Sequence, residues 1–515
     1  MSAVDLLNLE PVPTLLRRVR AELSSDFRAG RQLRVSRAPG RLDVMGGIAD
    51  YTGSLVCEMP LDRAAAVALQ ERDDREVQVF SFNLLDEHKP FTLRIPLDRI
   101  ATARLEDLRR EFNEPGRAWA GYLVGCLYLL HEQGYLDLRD PKHKGVTLAL
   151  YSTVPLGAGV SSSAAIEVAT MMNLVDHFGL RGGGRGGASG TRDGAGVGSS
   201  AASAPPPSAS LRPLDPMRIA ALCQQVENRV VGAPCGIMDQ ATSCAGEEAS
   251  LMRMLCQPHE LQSPLRLPEG IRVLGINSNV KHSVGGGAYG RTRCAAFMAH
   301  KIILETMRAA GEMSGRTLTA DPMHGYLANL DPQDYKAHFR PRLPEWMKGS
   351  DFLAQYGATI DTATRVDAGT DYPVQHAADH HVLEARRVRE FAANLEEAAA
   401  APPQTRDQGR PLDKAGHLMY ASHLSYSNDA MLGAEECDVL VDLVKRREPA
   451  GLYGAKITGG GSGGTVAVLA DVTPKADAAI ADILTEYQTR TGRPPELIAG
   501  TSPGAWQAGT ALVTA

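Results

Sequence analysis

Three glycine-bearing stretches carry the residues whose types and spacing could do chemistry. Residues 36–58, SRAPGRLDVMGGIADYTGSLVCE, set Arg41, Asp43 and Asp50 beside Gly40, Gly46 and Gly47. A planar guanidinium grips phosphate oxygens at two points and carboxylates accept from hydroxyls, so this stretch suits a polar, hydroxylated ligand with a phosphate nearby. Residues 154–165, VPLGAGVSSSAA, run straight into helical sequence. There Gly157 and Gly159 let backbone N–H groups close on an anion, Ser161, Ser162 and Ser163 add hydroxyls, and the helix N-terminus adds partial positive charge. This is a phosphate cradle without the lysine of a Walker loop. Residues 456–465, KITGGGSGGT, place five glycines in six positions between strand-like flanks. Each stretch also has a plainer alternative: a solvated ion pair on a surface turn, a serine N-cap on an ordinary helix, and a linker.

The elements that must position these stretches are mixed. Leu33–Ala38, running into the turn signal Pro39-Gly40, Val77–Phe82, Gly145–Ser152 and Thr465–Ala470 have strand length and apolar, partly β-branched character. Trp119–His131, Ser161–Phe178, Asp215–Val230, Asp379–Ala400 and Leu412–Met431 read as helices. Strands interspersed with helices argue for an α+β or α/β protein. The N-terminus reads as one or two short amphipathic helices; Asp5 and Glu10 fall where a signal peptide would carry positive charge and an apolar block. Residues 182–210 are mostly Gly, Ala, Ser and Pro, too poor in apolar surface to offset ordering entropy, and read as a flexible insertion between helices. A domain boundary is expected near Pro258–Gly270, before the strand-like GIRVLGINS.

Composition removes several classes. The 515 residues carry 54 Lys and Arg against 60 Asp and Glu, so no polycationic surface for nucleic acid or anionic membrane is expected. No apolar run reaches membrane-spanning length. Eight scattered cysteines are too few for a disulfide framework, match no paired zinc spacing and suit a reducing, cytoplasmic setting. His380-His381 lies in a charged helical segment and reads as a solvated face; His282 is a candidate substrate contact.

Together and in this order, the three stretches resemble the GHMP family of small-molecule kinases, from roughly Ser36 to the C-terminus apart from the insertion. APGR with Asp50-Tyr51, and CGIMDQ at Cys235–Gln240, resemble its galactokinase branch. The resemblance implies an α+β fold of two domains, S5-like over 1–265 and ferredoxin-like over 266–515. It implies ATP with its phosphates on Gly157, Ala158, Gly159, Val160, Ser161, Ser162 and Ser163, and Mg²⁺ held by Ser163 and Glu227. Asp239 matches the carboxylate that takes the proton of the attacking sugar hydroxyl, and Arg41 the arginine that stabilises the transferred phosphoryl group. Asp43, Gly47, Asp50, Tyr289, Gly460 and Gly461 fall around the sugar, with Asp50 on ring hydroxyls.

One departure from that branch is informative. Galactokinases have Gly-Glu-His-Thr-Asp-Tyr in the first motif, where Glu and His meet the exocyclic hydroxymethyl of galactose; this chain has Gly46-Gly47-Ile48-Ala49-Asp50-Tyr51. L-Arabinopyranose is galactopyranose without that group, and polar groups left unpaired by a missing hydroxyl discriminate strongly against it. Removing them suits L-arabinose. The expected activity is an ATP-dependent sugar 1-kinase forming L-arabinose 1-phosphate; the alternatives are a kinase of D-galactose and a catalytically silent sugar-binding regulator.

Overall fold

The computed structural model describes residues 6–181, 213–281, 287–315, 317–401 and 410–515. The insertion at 182–210, His282 and most of the connection at 401–411 lie outside the described residues.

Strands β1 (Gln32–Met45), β2 (Leu55–Glu71), β3 (Glu76–Ser81), β4 (Thr92–Pro96) and β5 (Val146–Ser152) form one sheet in the order β1-β2-β5-β3-β4. Its pairings are antiparallel except β3 with β5. Strand β6 (Ser250–Leu255) pairs with the start of β2 and carries the two-residue strands β7 (Glu260–Leu261) and β8 (Leu265–Arg266). The second sheet begins with β9 (Ile271–Asn277). After a two-residue ladder of β10 (Met347–Lys348) with β11 (Asp371–Tyr372), it is completed by β12 (Leu452–Ile457), β13 (Thr465–Asp471) and β14 (Glu496–Ile498) in the order β12-β13-β9-β14. The last strand, β15 (Thr510–Thr514), returns to the first sheet and pairs with Gln32–Ser36.

Strand β1 does not stop at Pro39-Gly40 as the turn signal suggests. It shifts register between Pro39 and Arg41 and runs on to Met45, so Arg41 and Asp43 stand on a strand and not on a loop. A bulge absorbs the proline that a ladder cannot use. Gly40 is required there: a Cβ would lie 2.7 Å from the Val160 carbonyl, which accepts from Arg41 N–H at 3.1 Å.

Among the helices, α1 (Val12–Glu22) is amphipathic as expected and buries Val12, Leu15, Leu16 and Val19. Helices α2 (Ala118–Glu132) and α3 (Ser162–His177) are apolar on nearly every side, the pattern of helices enclosed in a core, and α3 lies against both β1 and α2. Helix α4 (Pro216–Gln225), capped by the Asp215 carboxylate, widens into a π-type turn over Val226–Val231, a distortion that re-aims one side chain, here Glu227. Helix α5 (Met238–Ala245) begins within CGIMDQ, and α6 (Ala288–Met313), α7 (Val374–Ala400), α8 (Arg410–Asn428), α9 (Glu435–Lys445) and α10 (Pro474–Thr491) follow.

Helix α7 couples the two layers. Val374, Ala377 and Val382 pack in the core beside the second sheet, whereas Val388, Phe391 and Leu395 pack in the core of the first. Its His380 and His381 are fully buried, which corrects the solvated-face expectation: two of the charged neighbours that suggested exposure, Asp379 and Glu384, are themselves buried and paired with Arg340 and Arg387. His381 contacts Tyr51 Oη (3.1 Å) and Thr52 Oγ1 (3.2 Å), bracing the Gly47–Thr52 turn from behind. His380 contacts Ser425 Oγ at 3.0 Å.

Burial holds both imidazoles well below their usual pKa. Arg387 and Lys456 add to this at His380, and His380 and Arg293 at His381. The fold therefore keeps them neutral, while the unfolded chain takes up protons near pH 6.5, so their contribution is present above that pH and lost below it. Each ring should withdraw about 1.4 kcal/mol between pH 7.5 and 5.5. Urea unfolding of His381→Gln should show a pH dependence smaller by that amount than wild type; identical slopes would refute the assignment.

Candidate active site

The three glycine-bearing stretches meet around one cleft of about 700 Å³. Arg41 stands in its floor. The guanidinium donates to Asp239 Oδ1 from Nε (2.8 Å), with Nη2 2.7 Å from the same oxygen as an ion pair, and to the Gly159 carbonyl from Nη1 (2.7 Å). One side chain of β1 thus holds the first residues of α5 and the backbone of the anion loop together. Burial by itself would lower the Arg41 pKa, but the charges of Asp239, Glu58 and Asp43 raise it instead.

The anion loop is shaped for a ligand and not for helix capping. Gly157 and Gly159 both hold φ = +71° and Ser161 holds φ = +60°, a conformation that non-glycine residues rarely adopt. Ser161 makes no capping bond, and its Oγ is buried with no hydrogen-bond partner. Gly157, Gly159 and all three serines line the cleft. Val160 does not; its carbonyl is tied to Arg41 N–H. Ala158 faces a second, wider opening of about 890 Å³, which shares Gly157 with the first and is also lined by Asn83, Asn277 and Lys281.

Ser163 hydrogen-bonds Glu227, which the widened turn after α4 aims into the cleft. Burial and the Asp239 charge push Glu227 up to about 7. Gln240 donates one amide to both Glu227 Oε2 (2.8 Å) and Glu167 Oε2 (3.1 Å). Glu167 lies one turn beyond Ser163 on α3, and burial followed by the Glu227 charge holds its carboxyl well above the usual range. Crowded carboxyls beside a hydroxyl form a hard-oxygen donor set with a shortage of positive charge, which fits Mg²⁺. Among the described residues, no group of three or more His, Cys, Asp or Glu is arranged to hold an ion. Any ion there would need further oxygens from a ligand.

On the opposite wall stand Ile48, Asp50 and Tyr289. Asp50 accepts from Tyr51 N–H at 2.8 Å, and burial and the Asp239 charge push it up to about 7. Gly236 lets the chain before α5 close on it, because a Cβ there would lie 1.5 Å from Asp50 Oδ2. The Tyr289 ring meets Tyr51 edge-on at 6.0 Å.

Three residues expected around a sugar lie off the cleft. Asp43 is fully buried, and Lys456 Nζ (2.6 Å), Gly47 N–H (2.9 Å) and Gly459 N–H (3.2 Å) engage both of its oxygens. Gly47 is packed under Tyr426, whereas Gly461 lies against Leu432 and leaves Gly460 to line the cleft.

Glu58, Lys456, Glu167, Gln240 and Tyr426 were not singled out by sequence reasoning. Glu58 faces Asp43 across β1 and β2 and lies 3.4 Å from Arg41 Nε, with neither oxygen hydrogen-bonded. Burial, with the Asp43 charge, holds its carboxyl well above the usual range. A lone acid within the apolar run LVCEMPL was its available signal; Tyr426 had none, because its partners Gly459 and Ile48 lie 33 and 378 positions away.

Comparison with known proteins places this architecture. Residues 121–183 match the GHMP kinases N terminal domain, residues 383–488 the GHMP kinases C terminal family, and residues 24–71 the galactokinase galactose-binding signature. The chain belongs to the GHMP kinase family. It is 34% identical to the L-arabinokinase of Arabidopsis thaliana, an alignment covering 94% of this chain and 47% of that protein, so the chain spans about half that relative's length. It is 29% identical to a galactokinase of Chloroflexus aggregans, covering 89% of each. In fold it resembles Lactococcus lactis galactokinase solved with galactose, with a TM-score of 0.65 at 20% identity over 95% of this chain and 98% of that one.

The Asp43–Lys456 pair joins the two sheets beneath this cleft, and both side chains are fully buried. Lys456→Met leaves an uncompensated buried charge and should cost about 3–5 kcal/mol in urea unfolding, most of it recovered by adding Asp43→Leu. A single-variant loss below about 1 kcal/mol would contradict this.

Proposed function

We propose that this chain is an ATP-dependent sugar 1-kinase acting on L-arabinose. The observation that carries the reading is the Arg41–Asp239 pair facing the strained, unpartnered Ser161 loop across one cleft. The 34% identity to an L-arabinokinase favours the pentose, as does an apolar Ile48 on the sugar-side wall with no side chain beside it at Gly47. Galactokinases among the relatives make D-galactose the competing substrate.

On this reading the backbone from Gly157 to Val160 and the hydroxyls of Ser161 to Ser163 bind the nucleotide phosphates. The second opening, beyond Ala158, receives the ribose and base. Ser163 and Glu227 would hold Mg²⁺, which when bound neutralises charge shared between the β- and γ-phosphates. Asp50 and Tyr289 orient the sugar so that its anomeric hydroxyl faces Asp239. Asp239 takes the proton of that hydroxyl as its oxygen bonds to the γ-phosphorus and the bond to the β-phosphate oxygen breaks. Arg41 orients Asp239 through a hydrogen bond and an ion pair and faces the equatorial oxygens, where charge develops. Because phosphoryl transfer asks chiefly for positioning and electrostatic stabilisation, these few rigidly held groups suffice.

A coupled ADP-release assay with L-arabinose, D-galactose and no sugar tests the proposal. Turnover should depend on sugar and be faster, at equal concentration, with L-arabinose. Preferential use of D-galactose would overturn the substrate, and no turnover with either would leave a sugar-binding regulator.

Asp239→Asn should lower kcat by at least about a hundredfold while the sugar Kd, measured by calorimetry, stays within about threefold. Loss of sugar binding with loss of turnover would instead make Asp239 a structural residue.

A further inference from the structure

We infer that Tyr426 fixes the sugar preference of this cleft: its side chain fills the space that any side chain at position 47 would need and keeps the corner beside Ile48 closed. This rests on the sugar-kinase reading and names the determinant of its substrate class.

Gly47 holds φ = +35°, and a Cβ built there would lie 1.6 Å from Tyr426 Oη and 2.7 Å from its Cζ. The obstacle is a side chain, but not a free one. Its hydroxyl donates to the Gly459 carbonyl (2.9 Å) and accepts from Ile48 N–H (3.0 Å). The ring is fully buried, meets His380 edge-on at 5.1 Å and lies 5.2 Å from Lys456 Nζ, itself anchored to Asp43. Swinging the tyrosine away would strand a buried donor and a buried acceptor, so position 47 is held to glycine.

The consequence reaches the ligand through the two residues that the hydroxyl joins, because Ile48 and Gly459 both line the cleft. Tyr426 ties the sugar-side wall to the glycine loop and sets the gap between them. It also spends its only polar group on backbone, so this corner offers an apolar Ile48 surface. A pentopyranose leaves nothing unsatisfied there. An exocyclic hydroxymethyl would have to push Ile48 back against the tyrosine and leave its hydroxyl without a partner.

The experiment compares kcat/KM for L-arabinose and D-galactose in wild type, Tyr426→Phe, Tyr426→Ala and Tyr426→Leu, with thermal melting to establish folding. Tyr426→Phe keeps the ring but loses the hydroxyl that joins Ile48 to Gly459, so it should move the arabinose-to-galactose ratio in the same direction as Tyr426→Ala and by less. Tyr426→Ala opens the corner and should move the ratio towards galactose by roughly tenfold or more; should it fail to fold, Tyr426→Leu decides by the same shift. Gly47→Ala should lower the melting temperature in wild type and by clearly less in the Tyr426→Leu background. A folded Ala or Leu variant with an unmoved ratio, or an equal penalty for Gly47→Ala in both backgrounds, overturns the inference alone. A wild-type protein that turns over neither sugar overturns the kinase reading and this inference with it.

Discussion

The constraint on which the rest depends is the buried ion pair of Asp43 and Lys456. Asp43 is on β1 of the first sheet and Lys456 on β12 of the second, and neither side chain is exposed. Two charges withdrawn from water tolerate each other only at close range with their remaining valences filled. Asp43 meets that condition by accepting from Gly47 N–H and Gly459 N–H as well. A single carboxylate therefore sets the distance between the turn after β1 and the glycine loop after β12. The tyrosine that bridges Ile48 to Gly459 repeats the tie a few ångströms away. The cleft is held open at a fixed width by polar contacts that would each be costly to break.

Arg41 works in the same way on the facing side. It binds Asp239 and the Gly159 carbonyl at once, and a Cβ on Gly459 would lie 2.6 Å from that same carbonyl oxygen. The three glycine-bearing stretches are thus in mutual backbone contact, and their glycines serve close approach more than flexibility. Glu58 beneath Arg41 belongs to this arrangement as a second acid behind the guanidinium.

Much of this was legible in the sequence, and the misses share a cause. Arg41, Asp50 and Ser161 to Ser163, marked by their glycine-bearing stretches, and Glu227, Tyr289 and Asp239, marked by the family resemblance, do converge on one cleft. The α+β mixture was equally legible from period and length. Residue type alone makes Asp43 look like a ligand contact, whereas its partner Lys456 lies 413 positions away. Neighbouring charges on α7 make His380-His381 look exposed, although a helix that spans two cores must bury residues on more than one side. Pro39-Gly40 signalled a turn; only the pairing of β1 with β2 turns it into a bulge. Local signals located the chemistry, and long-range pairing decided which charges are ligands and which are struts.

The distribution of charge sharpens that distinction. On the Ser163 side of the cleft, Glu227 and Glu167 compete for the one amide of Gln240, and Asp239 adds a third acid. The nearby cations are committed elsewhere: Arg41 to Asp239 and Gly159, Arg293 to Asp361 and the Cys235 carbonyl, Lys456 to Asp43. Burial and mutual repulsion then push Glu227 up to about 7 and hold Glu167 well above the usual carboxylate range, while Glu167 Oε1 and Gln240 Oε1 stay without partners. Beside this acid excess lies a loop of glycines and serines shaped for an anion. The two features would oppose each other for a bare phosphate. They agree for a phosphate that arrives with a divalent cation, because the cation satisfies the acids while the loop holds the oxygens.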